Sequence, residues 1–176
     1  MPSGTQPLDG LATGTADISP CGLYRYSLTR RWEDRGVSGD GLLWVMLNPS
    51  TADATENDAT LRRIIRFSRD WGCRALTVVN LYALISTDPA ELYRAEDPVG
   101  PENDAVIAKA AQEASAIVVA WGANAPHPAR IRTVTDILRT NAFYAQRLYC
   151  LGRTNGGHPR HPVRLAASTK REVFYG

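Results

Sequence analysis

Two asparagines stand at the ends of apolar runs in this chain, Asn48 after Leu42 to Leu47 and Asn80 at the close of Ala75 to Asn80. Two histidines, His158 and His161, lie in a late Gly-Pro-rich loop together with Arg160 and Arg164. An asparagine amide offers donors and an acceptor, so it can hold a water or bond the edge of a ligand. A histidine titrates near neutral pH and can give or take a proton there, and arginines suit phosphates. Pro49, Ser50 and Thr51 follow Asn48, and Asp53 stands two positions further on. One chemistry open to this set is hydrolysis with Ser50 or Thr51 as nucleophile, His161 as base and an aspartate to orient it. No Gly-x-Ser-x-Gly elbow presents the hydroxyl, however. The other chemistry is recognition by polar groups gathered at strand ends. Plainer uses exist for each: Asn, Pro and Ser terminate strands for turn geometry alone, and a surface-loop histidine needs no special role.

For these residues to act together, the elements before them must bring them to one place. Leu42 to Leu47 is too short for a helix and lacks polar alternation, which predicts a central strand covered on both faces. Pro49 stops its ladder. Asp58 reads as an N-cap, and Leu61, Ile64, Ile65 and Ser68 trace a helical stripe with Arg62, Arg63, Arg66 and Arg69 outside it, ending near Gly72. Ala75 to Asn80 is a second short strand. Two parallel strands joined by that helix make a right-handed βαβ unit, which sets Asn48 and Asn80 side by side. The connection Leu81 to Pro101 is long enough to predict a lid or wall of a site. Beyond it the pattern predicts a helix over 102–114, a strand from Ile117 to Trp121 ending in Trp121-Gly122, a helix over 126–140 and a strand from Arg147 to Leu151. Leu23 to Trp32 alternates Tyr24, Tyr26 and Leu28 with polar residues, as an edge strand or hairpin does. The expected fold is a three-layer α/β/α domain with a central, mainly parallel four-stranded sheet. Ligands of open parallel sheets sit beyond the carboxyl ends of the strands, where Asn48, Asn80, Trp121-Gly122 and the segment after Leu151 gather.

Composition narrows the class. With 176 residues, 44% hydrophobic and 22% charged, the chain has enough core for one domain, expected over residues 23–176, after a Gly-, Thr-, Ser- and Pro-rich flexible arm over 1–22. The arm lacks the pattern of a signal peptide, and no stretch is long enough to span a membrane. Cys21, Cys73 and Cys150 are an odd, widely spaced set without a Cys-x-x-Cys, which predicts reduced thiols in a cytoplasm, no disulfide frame and no metal site. The net charge of +2 conceals an asymmetry: residues 147–176 hold six Lys or Arg against the single acid Glu172. A basic segment beside a candidate site suits a phosphate-bearing partner, and it equally suits solvated surface.

The motif series MLNPSTAD, NLYA, DPVGPEND, AWG and PRHPVRL resembles the bacterial and phage domain-of-unknown-function family 1643, over roughly Tyr24 to Leu165. More distantly, LNPS, TVVN, VVAWGANA and HPRHPVRL resemble, in order and approximate spacing, the motifs of the uracil-DNA glycosylase superfamily. That resemblance implies a uracil-DNA glycosylase-like fold and hydrolysis of the N-glycosidic bond of a mismatched or modified base, with no cofactor. Asn48 would hold the attacking water through its side-chain carbonyl, and Asp53 or Asp58 would have to reach the site to activate it. Asn80 would read two adjacent atoms of a pyrimidine edge. His161, in preference to His158, would donate to a base oxygen as charge develops there. Pro49, Ser50, Thr51, Trp121, Gly122, His158, Arg160 and Arg164 complete the implied substrate site, with Arg153 a further phosphate contact, Leu165 a wedge into the base stack, and Trp44 and Trp121 also suited to the core. The first motif lacks the acid and the aromatic residue of the fast glycosylases, so a second expectation stands beside the first. In that one the chain binds a free nucleotide or nucleobase without cleaving it, and the partner is DNA in the one case and a small ligand in the other.

Overall fold

The computed structural model describes residues 6–8, 12–32, 41–50, 57–125, 127–142 and 148–176. Strand β4 (Gly41–Met46) lies at the centre because its side chains alternate between two apolar layers. Leu42, Trp44 and Met46 pack on Leu61, Ile64, Ile65 and Phe67 of helix α1 (Ala59–Asp70). Leu43 and Val45 turn the other way, toward Ile107 and Ala111 of α3 (Asn103–Glu113) and Val134 and Leu138 of α4 (Pro128–Asn141). Full burial of side chains of this kind stabilises by about 1.5–3 kcal/mol each, which explains why an uninterrupted apolar run becomes a strand with no exposed face.

Helix α1 starts where Asp58 Oδ1 accepts the Leu61 N–H at 2.6 Å. Its one buried polar residue, Ser68, donates to the Ile64 carbonyl at 2.7 Å and accepts from Trp44 Nε1 at 3.0 Å, so the strand and the helix are tied by a polar contact inside the core. Trp44 also stacks on Trp71 at the helix end, with ring centroids 5.8 Å apart.

Among the described residues the sheet has eight strands in the order β1-β2-β3-β5-β4-β6-β7-β8. Strands β5 (Ala75–Asn80), β4, β6 (Ala116–Val119) and β7 (Leu148–Cys150) are neighbours in parallel. Around them, β1 (Gln6–Leu8), β2 (Ala12–Ile18) and β3 (Arg25–Arg31) add three antiparallel pairings on one side, and β8 (Glu172–Val173) adds one on the other. The expected four-stranded, mainly parallel sheet is therefore corrected to a mixed sheet twice as wide, in which four of the seven pairings are antiparallel. The physical reason lies in the outer strands. β2 comes from the polar, small-residue segment expected to be a loose arm, and it joins the sheet through backbone pairing, which leaves no apolar signature. β8 is two residues long and too short to carry any periodicity.

Strand β3 carries an irregularity that decides which face Arg25 joins. Ser27 pairs with Asp17 and Arg25 pairs with Ile18, so Tyr26 is an extra residue in the ladder. Such a bulge turns the next side chain to the opposite face. Leu28 lies in the layer of α1, and the bulge lets Arg25 rejoin that face. Tyr26 stacks with Tyr24 beside Gly100, on the other side of the sheet.

Candidate functional site

Because β4, β5 and β6 run parallel, their carboxyl ends open on one side of the sheet, and a cavity of about 530 Å³ lies there. Leu28, Met46, Leu61, Ile64, Val78 and Leu165 form its apolar floor on the α1 side. Polar groups reach it from beyond the ends of β4, β5 and β6 and from the late loop. Asn48, Ser50, Asn80, Trp121, Gly122, Arg160, His161 and Arg164 all line it. Residues 113 positions apart in sequence, Asn48 and His161, thus face a single space.

Asn80 is the most unusual member. It is only 2% exposed, yet its side-chain amide makes no hydrogen bond with any described residue. Its backbone is held firmly from behind: Asn103 Nδ2 donates to the carbonyls of Asn80 and Leu81 at 3.1 and 3.2 Å, and Arg130 Nε donates to the Leu81 carbonyl at 2.6 Å. Arg130 is itself paired with Asp104 at 2.6 Å. The Asn80 amide stays open to the cavity, whereas Nε1 of the neighbouring Trp121, which also lines it, is fully buried without a hydrogen-bond partner among the described residues.

Asn48 is oriented differently. Its Nδ2 donates to the carbonyls of Pro49 and Ser86 at 3.1 and 2.9 Å. Two acceptors fix which end of the amide is nitrogen, so the Oδ1 carbonyl is the group left to accept from a ligand or water. The connection after Asn80 supplies that clamp through Ser86, sends Pro89 to the cavity wall and carries the short helix α2 (Glu91–Arg94).

His161 caps the 3-10 turn Pro162–Arg164, and its Nδ1 accepts from the Val163 N–H at 3.4 Å. A neutral ring in that arrangement carries its proton on Nε2. Burial pushes the imidazole below its ordinary value of 6.5, and the nearby Asp58 carboxylate opposes that shift more weakly. The loop is brought up to the strand end by the Trp121-Gly122 turn. Gly122 has φ of 76° and donates to the Pro159 carbonyl at 3.0 Å, and a Cβ there would lie 3.4 Å from His161 Cβ. Only glycine adopts that backbone without strain.

Not every expected residue joins them. Pro49 is buried and uses its carbonyl to hold Ser86 and Asn48. His158 belongs to a tight hairpin with Thr154 and does not line the cavity. Arg153 donates to the Tyr175 carbonyl at 2.8 Å and lies over the Phe174 ring. Leu165 is 4% exposed and part of the floor, so it is no wedge. Trp44 is core, and Trp121, although it lines the cavity, is 1% exposed and packs edge-on against Phe174. Thr51 and Asp53 lie outside the described residues. Of the residues in the hydrolase expectation, Ser50 Oγ donates to Asp58 Oδ2 at 3.0 Å and His161 Nδ1 accepts from the Val163 N–H, so the structure shows no Ser50–His161 hydrogen bond.

Two further residues enter the cavity: Asp58, which the glycosylase resemblance named beside Asp53, and Arg25, which no sequence signal singled out. Asp58, read as a helix cap, serves as one and also faces the cavity, between Ser50, His161 and Arg25. Arg25 is 8% exposed, and burial lowers its pKa while Asp58 opposes the shift. Period-two reading put Tyr24, Tyr26 and Leu28 on one face, and no signal for the bulge exists in the sequence. Among the described residues no three His, Cys, Asp or Glu side chains are grouped to hold a metal ion, and no helix is long and apolar enough to cross a membrane.

The fold and site define an α/β protein with a polar-walled, apolar-floored cavity at the carboxyl ends of its parallel strands. The chain belongs to the family described as "Protein of unknown function (DUF1643)", which matches residues 25–163. That span starts at Arg25 and takes in the cavity residues as far as His161. No curated protein and no solved structure matches the chain.

Proposed function

We propose that this cavity recognises a nucleobase and that the protein is a DNA glycosylase-like enzyme hydrolysing the N-glycosidic bond of a mismatched or modified base. The observation that carries the reading is the amide of Asn80, open to the cavity and bonded to no described residue, a flat group with one acceptor and two donors beside an apolar floor. The order of motifs along the chain, similar to that of the uracil-DNA glycosylase superfamily, supports the same reading. In this mechanism Asn48 Oδ1 accepts a hydrogen bond from a water and aims it at the anomeric carbon. Asp58 takes up the proton as the water attacks, the carbon–nitrogen bond breaks and the base leaves with the electron pair. His161 Nε2–H donates to the base oxygen on which negative charge accumulates.

A specific observation favours the alternative, a module that binds a nucleobase or nucleotide without cleaving it. Both carboxylate oxygens of Asp58 already accept hydrogen bonds, from Leu61 and Ser50, which weakens it as a base. Single-turnover excision from duplexes carrying uracil, mispaired thymine or oxidised and hypermodified pyrimidines separates the two. In the enzymatic reading Asn48→Ala slows base release with little loss of substrate affinity, because it removes a contact used in the transition state. Excision unchanged by Asn48→Ala refutes that role for Asn48. Absence of excision across the panel, with tight nucleotide binding, establishes the alternative.

A further inference from the structure

The cavity carries more positive charge than a nucleobase alone can use. Among the described residues its lining holds three guanidiniums, Arg25, Arg160 and Arg164, against one carboxylate, Asp58, whose oxygens are both engaged within the protein. The arginines of the C-terminal stretch divide into two kinds. Arg153 and Arg171 are committed, the first to the Tyr175 carbonyl and the Phe174 ring, the second to the faces of Trp71 and Tyr149. Arg160 and Arg164 make no ion pair, side-chain hydrogen bond or ring contact with any described residue, and both are exposed at the cavity. They are carried on rigid backbone: Arg160 N–H donates to the Gly152 carbonyl at 3.0 Å, and Arg164 ends the 3-10 turn that His161 caps. Two unpaired guanidiniums carried on held backbone beside a pocket are available to an anion.

The cavity's size points the same way. At about 530 Å³ it falls within the roughly 300–1,000 Å³ that accommodates whole drug-sized ligands rather than one ring. We infer that the ligand is a phosphorylated nucleoside unit, its base on Asn80 over the apolar floor and its phosphate on Arg160 and Arg164 at the mouth. This inference rests on the reading of the cavity as a nucleobase site, and it adds the phosphate as a second point of recognition. The phosphate belongs either to a free nucleotide or to the diester of a strand, and the same two arginines serve both.

The test measures binding by titration calorimetry at moderate salt for the deoxynucleosides of the four DNA bases, of uracil and of the oxidised and hypermodified pyrimidines, for their 5′-monophosphates, and for short single-stranded oligonucleotides of the same bases. The wild-type protein is compared with the double variant Arg160→Gln, Arg164→Gln. The wild-type protein should bind the preferred monophosphate or oligonucleotide at least about tenfold more tightly than the matching nucleoside. In the double variant that ratio should fall toward one. Preference for the monophosphate identifies a free nucleotide as the source and preference for the oligonucleotide identifies a strand, and either outcome supports the phosphate subsite. A nucleoside that binds as tightly as its phosphorylated forms overturns the subsite and leaves the nucleobase reading standing. So does a phosphate preference that survives the double substitution. Failure of every nucleoside, nucleotide and oligonucleotide to bind overturns both.

Discussion

Replacing Asn103 tests how the cavity is held in shape. Asn103 is fully buried at the start of α3, 22 or more residues from the backbone it supports, and its Nδ2 donates to the carbonyls of Asn80 and Leu81. Alanine removes both bonds. Each is worth about 0.5–1.5 kcal/mol net, and the Leu81 carbonyl keeps its bond from Arg130 Nε. The expected loss is therefore about 1–3 kcal/mol, with Tm lower by about 2–4 °C for each kcal/mol in a chain of this size. Asn103→Asp gives a sharper comparison, because it keeps shape while turning an oxygen toward two carbonyl oxygens. At neutral pH it should destabilise at least as much as alanine. Urea denaturation followed by tryptophan fluorescence measures both. Stability of Asn103→Ala within about 0.5 kcal/mol of wild type, or an Asp variant as stable as wild type, refutes the reasoning.

Two other perturbations probe the loop that carries His161. Because burial lowers its folded-state pKa below the ordinary 6.5, the unfolded chain binds more protons in that range. The stabilising effect of the neutral ring is present in full above pH 6.5 and is lost as pH falls toward the folded pKa, so wild type should lose stability between pH 7 and 5 faster than His161→Gln. Parallel slopes in pH-dependent denaturation would remove that role. Gly122→Ala should cost about 1–2 kcal/mol from the left-handed backbone it imposes on a residue with a Cβ, and it should also disturb ligand binding through its contact with His161. Thermal denaturation and ligand titration of the variant check both, and wild-type stability would rule out the strain.

The sequence made the central elements readable for a plain reason. β4 and β5 are buried on both faces, so their apolar runs stand out, and the second spans Ala75–Asn80 in sequence pattern and structure alike. The stripe of Leu61, Ile64, Ile65 and Ser68 stands out as helical because its opposite face is arginine-rich. The placement of Asn48 and Asn80 followed from where those runs stop. Sheet width was not readable, since β2 depends on backbone pairing and its residues are small and polar. Arg25 was hidden by a bulge at Tyr26 that no local residue pattern signals. The second use of Asp58 was half visible: the capping pattern located it, but the packing of α1 against the 3-10 turn, which puts it near His161, is a long-range matter.

The central claim is that Asn80 reads the ligand. Calorimetric titration of wild type and Asn80→Ala with the ligand that binds wild type best, alongside their denaturation curves, tests it most directly. The side chain makes no hydrogen bond within the described protein, so its removal should leave folding stability within about 1 kcal/mol of wild type. Affinity should fall by about tenfold to a hundredfold, the loss of one or two hydrogen bonds to a buried polar edge. Equal affinity in the two proteins would contradict the account.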